Sequence, residues 1–227
     1  MKKTIFFIAI LFCAFFLNMN YGTSGKPFEG VITFKITYPD NKFSESQMAM
    51  FPKILTVSIK GTKSRTDLQM SGMNTIEITD YTEKTKVKLL NMMGQKYAIK
   101  QTSADIEKEL ANEAKPTVEL TSETKVIAGY TCKKAVITVN NDGVKSTFEA
   151  YYTNELGGKM ANFDNPLYKD IDGILLEFLI NTSEVNMKFT ATSVEKKNLP
   201  GKDFEIPSDY TLTTQEELKS KFGGGNE

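Results

Sequence analysis

Carboxylates are the side chains best able to do chemistry in this sequence, because its 227 residues include no histidine. The chain therefore lacks the imidazole of Ser-His and Cys-His nucleophile pairs and the commonest zinc and copper ligand. Asp80 and Glu83 form one candidate acid pair, and Asp164 with Asp170 and Asp172 form a second set. Such pairs could serve a glycosidase or bind calcium.

Neither acid set carries the further residues that these functions need. Asp170 and Asp172 lack the rest of a calcium loop, and carboxylates in polar turns are ordinarily solvated. We therefore predict that the protein is not an enzyme and that it holds no cofactor and no metal ion. The net charge of zero over the full chain also gives no electrostatic basis for binding nucleic acid or an anionic membrane.

Sulfur-containing side chains are the other chemically distinctive group. Cys132 has no histidine to activate it, so we interpret it as a small buried hydrophobic residue. The ten methionines do not form a repeated Met-x-x-Met series of the kind that binds Cu(I). Methionine surfaces adapt to varied apolar shapes. We predict an apolar pocket lined by Met48, Met50, Phe51, Met70, Met73, Met92 and Met160, with Leu176 and Phe178 on its floor.

The N-terminal residues predict export. Lys2 and Lys3 precede an uncharged apolar run from Ile5 to Leu17, which is the layout of a secretory signal peptide and is shorter than the roughly 20 residues of a membrane span. Small residues at 22–24 would allow cleavage. We expect a soluble protein, not an integral membrane protein, in the periplasm of a Gram-negative bacterium or outside the cell.

The remainder of the chain has the pattern of β-strands. Between Glu29 and Tyr38, apolar residues alternate with threonine and lysine, which predicts a strand with one buried face. Further short runs between 55 and 100 and between 118 and 196 are joined by polar turns, and Asn141-Asp142-Gly143 is a strong hairpin signal. Closely spaced strands with few helices favour an antiparallel meander.

Two short helices and one long irregular segment interrupt this pattern. Ser103 is predicted to begin a helix that carries Ile106, and Thr213 with Glu216 is predicted to form the capping box of another. Residues 154–172 form a connection of the length that is usually functional or mobile. The predicted organisation is a signal peptide at 1–24, a single β domain at 25–222 and a disordered tail at 223–227.

Four motifs carry a family resemblance: Phe28-Glu29-Gly30, the run from Ile127 to Lys134, the run from Gly173 to Phe178, and the run from Phe204 to Tyr210. They resemble motifs of an exported family of unknown function, related to the GLPGLI-type proteins and more distantly to the LolA and LppX lipoprotein carriers. The resemblance implies a strongly curved antiparallel sheet that forms a half-open barrel, closed by short helices, around an apolar cavity. It implies no catalytic residues.

Two functions are compatible with the expected fold. The first is an exported carrier or binding protein for an apolar ligand, such as a lipid, an acyl chain or a lipidated peptide. The alternative is a non-catalytic assembly module of the cell envelope that meets another envelope protein through a sheet edge or through residues 154–172. An open pocket would favour the carrier, and a filled interior would favour the assembly module.

Overall fold

β-Strands make up most of the chain, as the alternating pattern predicted. The computed structural model describes residues 27–70, 73–92, 94–111, 113, 115–141, 143–158, 160–182 and 185–222. The predicted signal peptide and the predicted disordered tail both lie outside these residues. Among the described helices, none is long and apolar enough to cross a membrane.

Twelve strands in the described residues form a single open sheet. The strands are β1 (Glu29–Thr37), β2 (Ile54–Lys60), β3 (Lys63–Met70), β4 (Met73–Asp80), β5 (Thr85–Met92), β6 (Gln95–Gln101), β7 (Thr117–Ile127), β8 (Tyr130–Asn141), β9 (Val144–Thr153), β10 (Ile174–Asn181), β11 (Asn186–Lys196) and β12 (Thr211–Thr213). Their order across the sheet is β12-β6-β5-β4-β3-β2-β1-β11-β10-β9-β8-β7. Strand β12 pairs with β6 in parallel, and the other neighbours are antiparallel. The sheet therefore consists of two antiparallel meanders joined where β1 pairs with β11, and the predicted meander is confirmed.

Local turn chemistry sets the register of the hairpins. Asn141 pairs with Val144, so the predicted Asn-Asp-Gly hairpin connects β8 to β9. Residues 117–127 form one strand, β7, whose register with β8 shifts between Leu120 and Thr124. A β-bulge adds residues to one strand without ending it, which explains why the alternating pattern looked interrupted.

Within the described residues, three short α-helices lie at the periphery: α1 (Glu45–Met48), α2 (Ser103–Ala111) and α3 (Gln215–Phe222). A short 3-10 helix spans Gly201–Phe204. The caps of α2 and α3 lie one residue away from their predicted positions. Thr102 caps α2 together with Asp105, and Thr214 caps α3 together with Glu217. At α2 the acid three positions after Thr102 is Asp105, whereas Ile106 follows Ser103 at the same spacing. At α3 both Thr213 and Thr214 have an acid three positions later, so the sequence spacing did not distinguish them.

The buried face of the sheet changes from one side to the other between β2 and β4. Ile32 and Phe34 of β1 pack on one side with residues of β2, β10 and β11. Ile78 of β4 and Leu89 of β5 pack on the opposite side, where Phe204 covers them. Because alternate residues of a strand face opposite sides, the first side of β4 and β5 is left to polar residues.

Residues 154–173 cover the first side of the sheet and are held by buried polar groups, one that bonds within the segment and one that reaches β10. The side-chain amide of Asn162 donates to the carbonyl groups of Ile171 and Gly173. The hydroxyl of the fully buried Tyr168 donates to the carbonyl of Leu179 and accepts from its N–H group. This segment, rather than the short helices expected from the sequence, closes the space above the sheet.

Candidate functional site

A cavity of about 480 Å³ lies between the sheet and residues 154–173. Its volume is within the range of small-molecule sites. Strands β5 and β10 both line it, although six strand spacings separate them in the sheet order. A flat sheet would hold these two strands roughly 29 Å apart. The sheet therefore bends around the cavity, and one ligand could contact strands from both meanders.

One wall of the cavity is apolar and aromatic. The rings of Phe178 and Phe189 stack with 4.8 Å between centroids, and Phe34 meets Phe178 edge-on at 5.8 Å. Alternate residues of β1 and β2 extend this wall, because each has one face directed at the cavity. The further apolar residues are Ile32, Leu55, Val57, Ile59, Ile180 and Met187.

The opposite wall is polar and is built by alternate residues of β3, β4 and β5. Cross-strand pairing aligns Ser64 with Thr79 and Thr79 with Lys86, so these side chains form a continuous row across three strands. Thr66 of β3 and Glu77 of β4 pair in the next row. The apolar residues between them pack on the other side of the sheet, which explains why a charged wall exists here.

Lys86 is the centre of the charged groups in the cavity. Its Nζ atom lies 2.6 Å from Oδ2 of Asp164 and 3.2 Å from Oε1 of Glu77. Burial lowers the pKa of Lys86, but the two carboxylates outweigh this effect and the net shift is upward. Lys86 therefore stays protonated near neutral pH, where it donates hydrogen bonds and does not act as a base or nucleophile.

Tyr81 lies in the turn after β4 and lines the same cavity. Burial raises the pKa of Tyr81 to about 12, against the opposing effect of a hydrogen bond with Ser64. Its phenol consequently stays protonated at neutral pH and remains available as a hydrogen-bond donor and acceptor. Together, the wall presents hydroxyl, ammonium and carboxylate groups opposite a face of aromatic rings. This arrangement suits a ligand that is rich in hydroxyl groups on one side and apolar on the other.

The structure places the nine sequence-predicted site residues in several separate locations. Phe178 lines the cavity, whereas Leu176 is fully buried in the core. Met48 lines another pocket beside β1, and Phe51 packs against Tyr38 with 5.2 Å between ring centroids.

The remaining methionines are also dispersed. Met50 is 63% exposed, and Met70 is half-buried at the end of β3. Met160 is 42% exposed and lines a second cavity. The side chains of Met73 and Met92 lie outside the described residues. The structure thus does not gather the described methionines into one pocket.

The candidate acids do not form a common site either. Asp80 accepts hydrogen bonds from the backbone N–H groups of Thr82 and Glu83, so this pair stabilises a turn. Asp170 and Asp172 are exposed, and Asp164 alone of its set lines the cavity. No group of three or more possible metal ligands occurs within the described part of the chain.

The sequence reasoning missed the residues of the polar wall, chiefly Glu77, Tyr81 and Lys86. The usable signal was the polar series Thr75, Glu77 and Thr79, which alternates with two isoleucines. Alternation of this kind usually marks a strand with one solvent-exposed face, so the pattern alone did not indicate a cavity wall. Cys132, in contrast, is fully buried as predicted, and burial raises the pKa of its thiol to about 11.

Comparison with protein families identifies the chain. The family described as "N-glycanase peptide, N-terminal domain" matches residues 56–214, which is more than two thirds of the sequence. The chain belongs to this family. No curated protein matches it. The part shared with the N-glycanase N-terminal domain family begins in β2 and ends one residue after β12, so it contains Glu77, Lys86 and Asp164.

Membership of the N-glycanase N-terminal domain family corrects several predictions. The resemblance to GLPGLI-type and LolA-like proteins is wrong, and so is the lipid-carrier function drawn from it. The alternative of an envelope assembly module gains no support. The prediction that the protein is not an enzyme is also wrong, because the family description names an N-glycanase, which is an enzyme.

The motifs behind that resemblance have structural roles. A Cβ atom at Gly30 would lie 2.1 Å from the carbonyl oxygen of Glu195, so close strand packing requires this glycine. Gly173 has φ +152° and lies against Tyr152, and Leu176 is a core residue. Such residues are required by backbone geometry and packing, and proteins of unrelated function can share these requirements.

Proposed function

We propose that this chain is part of an N-glycanase and that its cavity binds the N-linked glycan of the substrate. The observation that carries the proposal is the pairing of an aromatic wall with a hydroxyl-rich and charged wall. The whole charged wall, with Phe178 and Phe189 of the aromatic wall, lies inside the span that matches the family. Ligand sites commonly combine an apolar lining with a few polar groups that fix orientation.

The chemistry of the two walls fits a sugar. A pyranose ring has apolar C–H faces and a rim of hydroxyl groups. The partly buried ring of Phe178 offers apolar surface for such a face, and the buried rings of Phe34 and Phe189 pack against it. The carboxylates of Glu77 and Asp164 accept hydrogen bonds from hydroxyl groups, and these charge-assisted bonds are the stronger kind.

The balance of charge in the cavity favours a neutral glycan. Glu77 and Asp164 supply two negative charges, and Lys86 and Lys88 supply two positive charges. A strongly anionic ligand would meet the two carboxylates directly. A neutral glycan keeps the ion pairs of Lys86 intact and adds hydrogen bonds around them.

Export and domain organisation complete the proposal. The apolar run from Ile5 to Leu17 supports secretion of the mature chain, which would meet glycoproteins outside the cytoplasm. We take residues 25–222 as a single domain in which the curved sheet forms a half-open barrel, with the glycan entering from its open side.

Binding of a neutral Asn-linked glycopeptide, measured by isothermal titration calorimetry on the full chain, tests the proposal. Glu77→Gln is expected to weaken binding about tenfold, since a hydrogen bond to a charged group contributes roughly 1.5–3 kcal/mol. The matched control is Glu83→Gln, an exposed acid in the turn after the same strand. Absence of binding, or equal affinities for both variants and the wild type, would contradict the proposal.

A further inference from the structure

A second cavity of about 310 Å³ adjoins the first. The two share three lining residues, Ile59, Tyr81 and Ile174. Tyr81 therefore contacts both spaces and forms part of the partition between them. A ligand long enough to pass this tyrosine would occupy both cavities at once.

The second cavity differs in chemistry from the first. None of its lining residues is charged, and Phe28, Leu156 and Met160 are among them. The first cavity holds two acids and two lysines. A ligand that fills both must have a polar, hydroxyl-rich part joined to a part with apolar groups.

Two glycines shape this second cavity. Gly157 and Gly158 have φ values of +76° and +99°, which L side chains rarely adopt. A Cβ atom at Gly158 would lie 2.7 Å from the Cδ1 atom of Ile174. At Gly157, in contrast, nothing lies within 4 Å of a Cβ position, so bare backbone there leaves room for another chain to approach closely.

We propose, on the basis of the glycan-binding function proposed above, that the second cavity binds the peptide part of the glycopeptide substrate. The glycan occupies the charged cavity, and the peptide next to the glycosylated asparagine occupies the uncharged one. Tyr81 lies at the junction, close to the glycan–asparagine linkage. The ligand class is an N-glycopeptide with apolar residues beside the modified asparagine.

Met160 offers a selective variant for the test. It is 42% exposed and has φ +67°, a conformation that asparagine adopts more readily than other L residues. Met160→Asn should therefore fold while removing an apolar side chain from the second cavity. Met50→Asn is the matched control, because Met50 is 63% exposed and lines neither of the two cavities.

The experiment compares two probes by calorimetry on the full chain: an N-glycopeptide with apolar flanking residues, and the same glycan released from its peptide. The wild type is expected to bind the glycopeptide at least tenfold more tightly than the free glycan. Met160→Asn should weaken glycopeptide binding three- to tenfold and leave free-glycan binding unchanged. Met50→Asn should change neither affinity.

The possible results separate the two proposals. Equal affinity of the wild type for both probes, or an equal loss for both in Met160→Asn, would overturn the peptide subsite and leave glycan binding intact. Failure of the wild type to bind either probe would overturn the glycan-binding proposal and this inference with it.

Discussion

The ammonium group of Lys86 on β5 lies 2.6 Å from the carboxylate of Asp164, and this ion pair connects residues 154–173 to strand β5. Both side chains are largely buried, so the pair is only weakly screened by solvent. Oε1 of Glu77, on the neighbouring strand β4, lies 3.2 Å from the same ammonium group. The covering segment and the polar wall are thus coupled through one lysine.

Neutralising Asp164 should weaken the attachment of residues 154–173 to the sheet. For Asp164→Asn we expect a loss of about 1–2 kcal/mol in the free energy of unfolding, because Lys86 keeps Glu77 as a partner and is not left alone. Urea unfolding followed by tyrosine fluorescence measures this change. Asp170→Asn, an exposed acid of the same segment, should stay within about 0.5 kcal/mol of the wild type. Equal losses in both variants would argue against the ion pair.

Much of the strand architecture was predictable from the sequence, because alternation reports a local property. Ile32, Phe34 and Ile36 are all buried on one face of β1, as their spacing indicates. The Asn-Asp-Gly hairpin was predictable for the same reason, since its turn depends on the φ values of two residues. Neither prediction required knowledge of the other strands.

The cavity was not predictable, because its position depends on which side of each strand is covered. Alternation in β4 shows that Ile76 and Ile78 share a face, but it does not say whether Glu77 faces solvent or a cavity. That outcome depends on Phe204, more than a hundred residues later, which covers the isoleucine side. The described methionines of the predicted pocket lie in separate places, because composition carries no information about which strands become neighbours.

The cap of α2 can be tested with two adjacent hydroxyl residues. The Asp105 carboxylate accepts from the N–H group of Thr102 at 2.8 Å, and the Thr102 hydroxyl accepts from the N–H group of Asp105. Thr102→Ala should destabilise the helix start by about 1 kcal/mol. Amide hydrogen exchange at Asp105 and Ile106 should then speed up roughly fivefold. Ser103→Ala should leave both rates unchanged. Faster exchange in Ser103→Ala but not in Thr102→Ala would show instead that Ser103 caps the helix.

Close packing between β1 and β11 should make Gly30 intolerant of any side chain. A Cβ atom there would overlap the carbonyl oxygen of Glu195, so Gly30→Ala must displace one strand. We expect a loss of about 2–4 kcal/mol in the free energy of unfolding. Gly201→Ala is the control, since nothing lies within 4 Å of a Cβ atom at that position. A Gly30→Ala protein as stable as this control would show that the strands are further apart.

Glu177 on β10 is the most buried carboxylate among the described residues, with only 5% of its surface exposed. Lys125 and Lys188 lie 3.0 and 3.1 Å from its oxygens, and Thr190 donates a further hydrogen bond. Burial raises the pKa of Glu177, but the hydrogen bonds from the two lysines outweigh this effect and the net shift is downward.

The lowered pKa of Glu177 predicts a specific loss of stability in acid. The ionised carboxylate stabilises the fold above its ordinary pKa of 4.5, and this contribution disappears as the pH falls through the lower folded value. Glu177→Gln should cost about 1–3 kcal/mol at neutral pH and flatten the dependence of unfolding free energy on pH below about 4.5. Glu149→Gln should flatten it less, because that carboxylate is half-exposed although Lys134 lowers its pKa. Urea unfolding at a series of pH values measures both slopes, and an unchanged slope in Glu177→Gln would show that its lysine partners do not hold the ionised form.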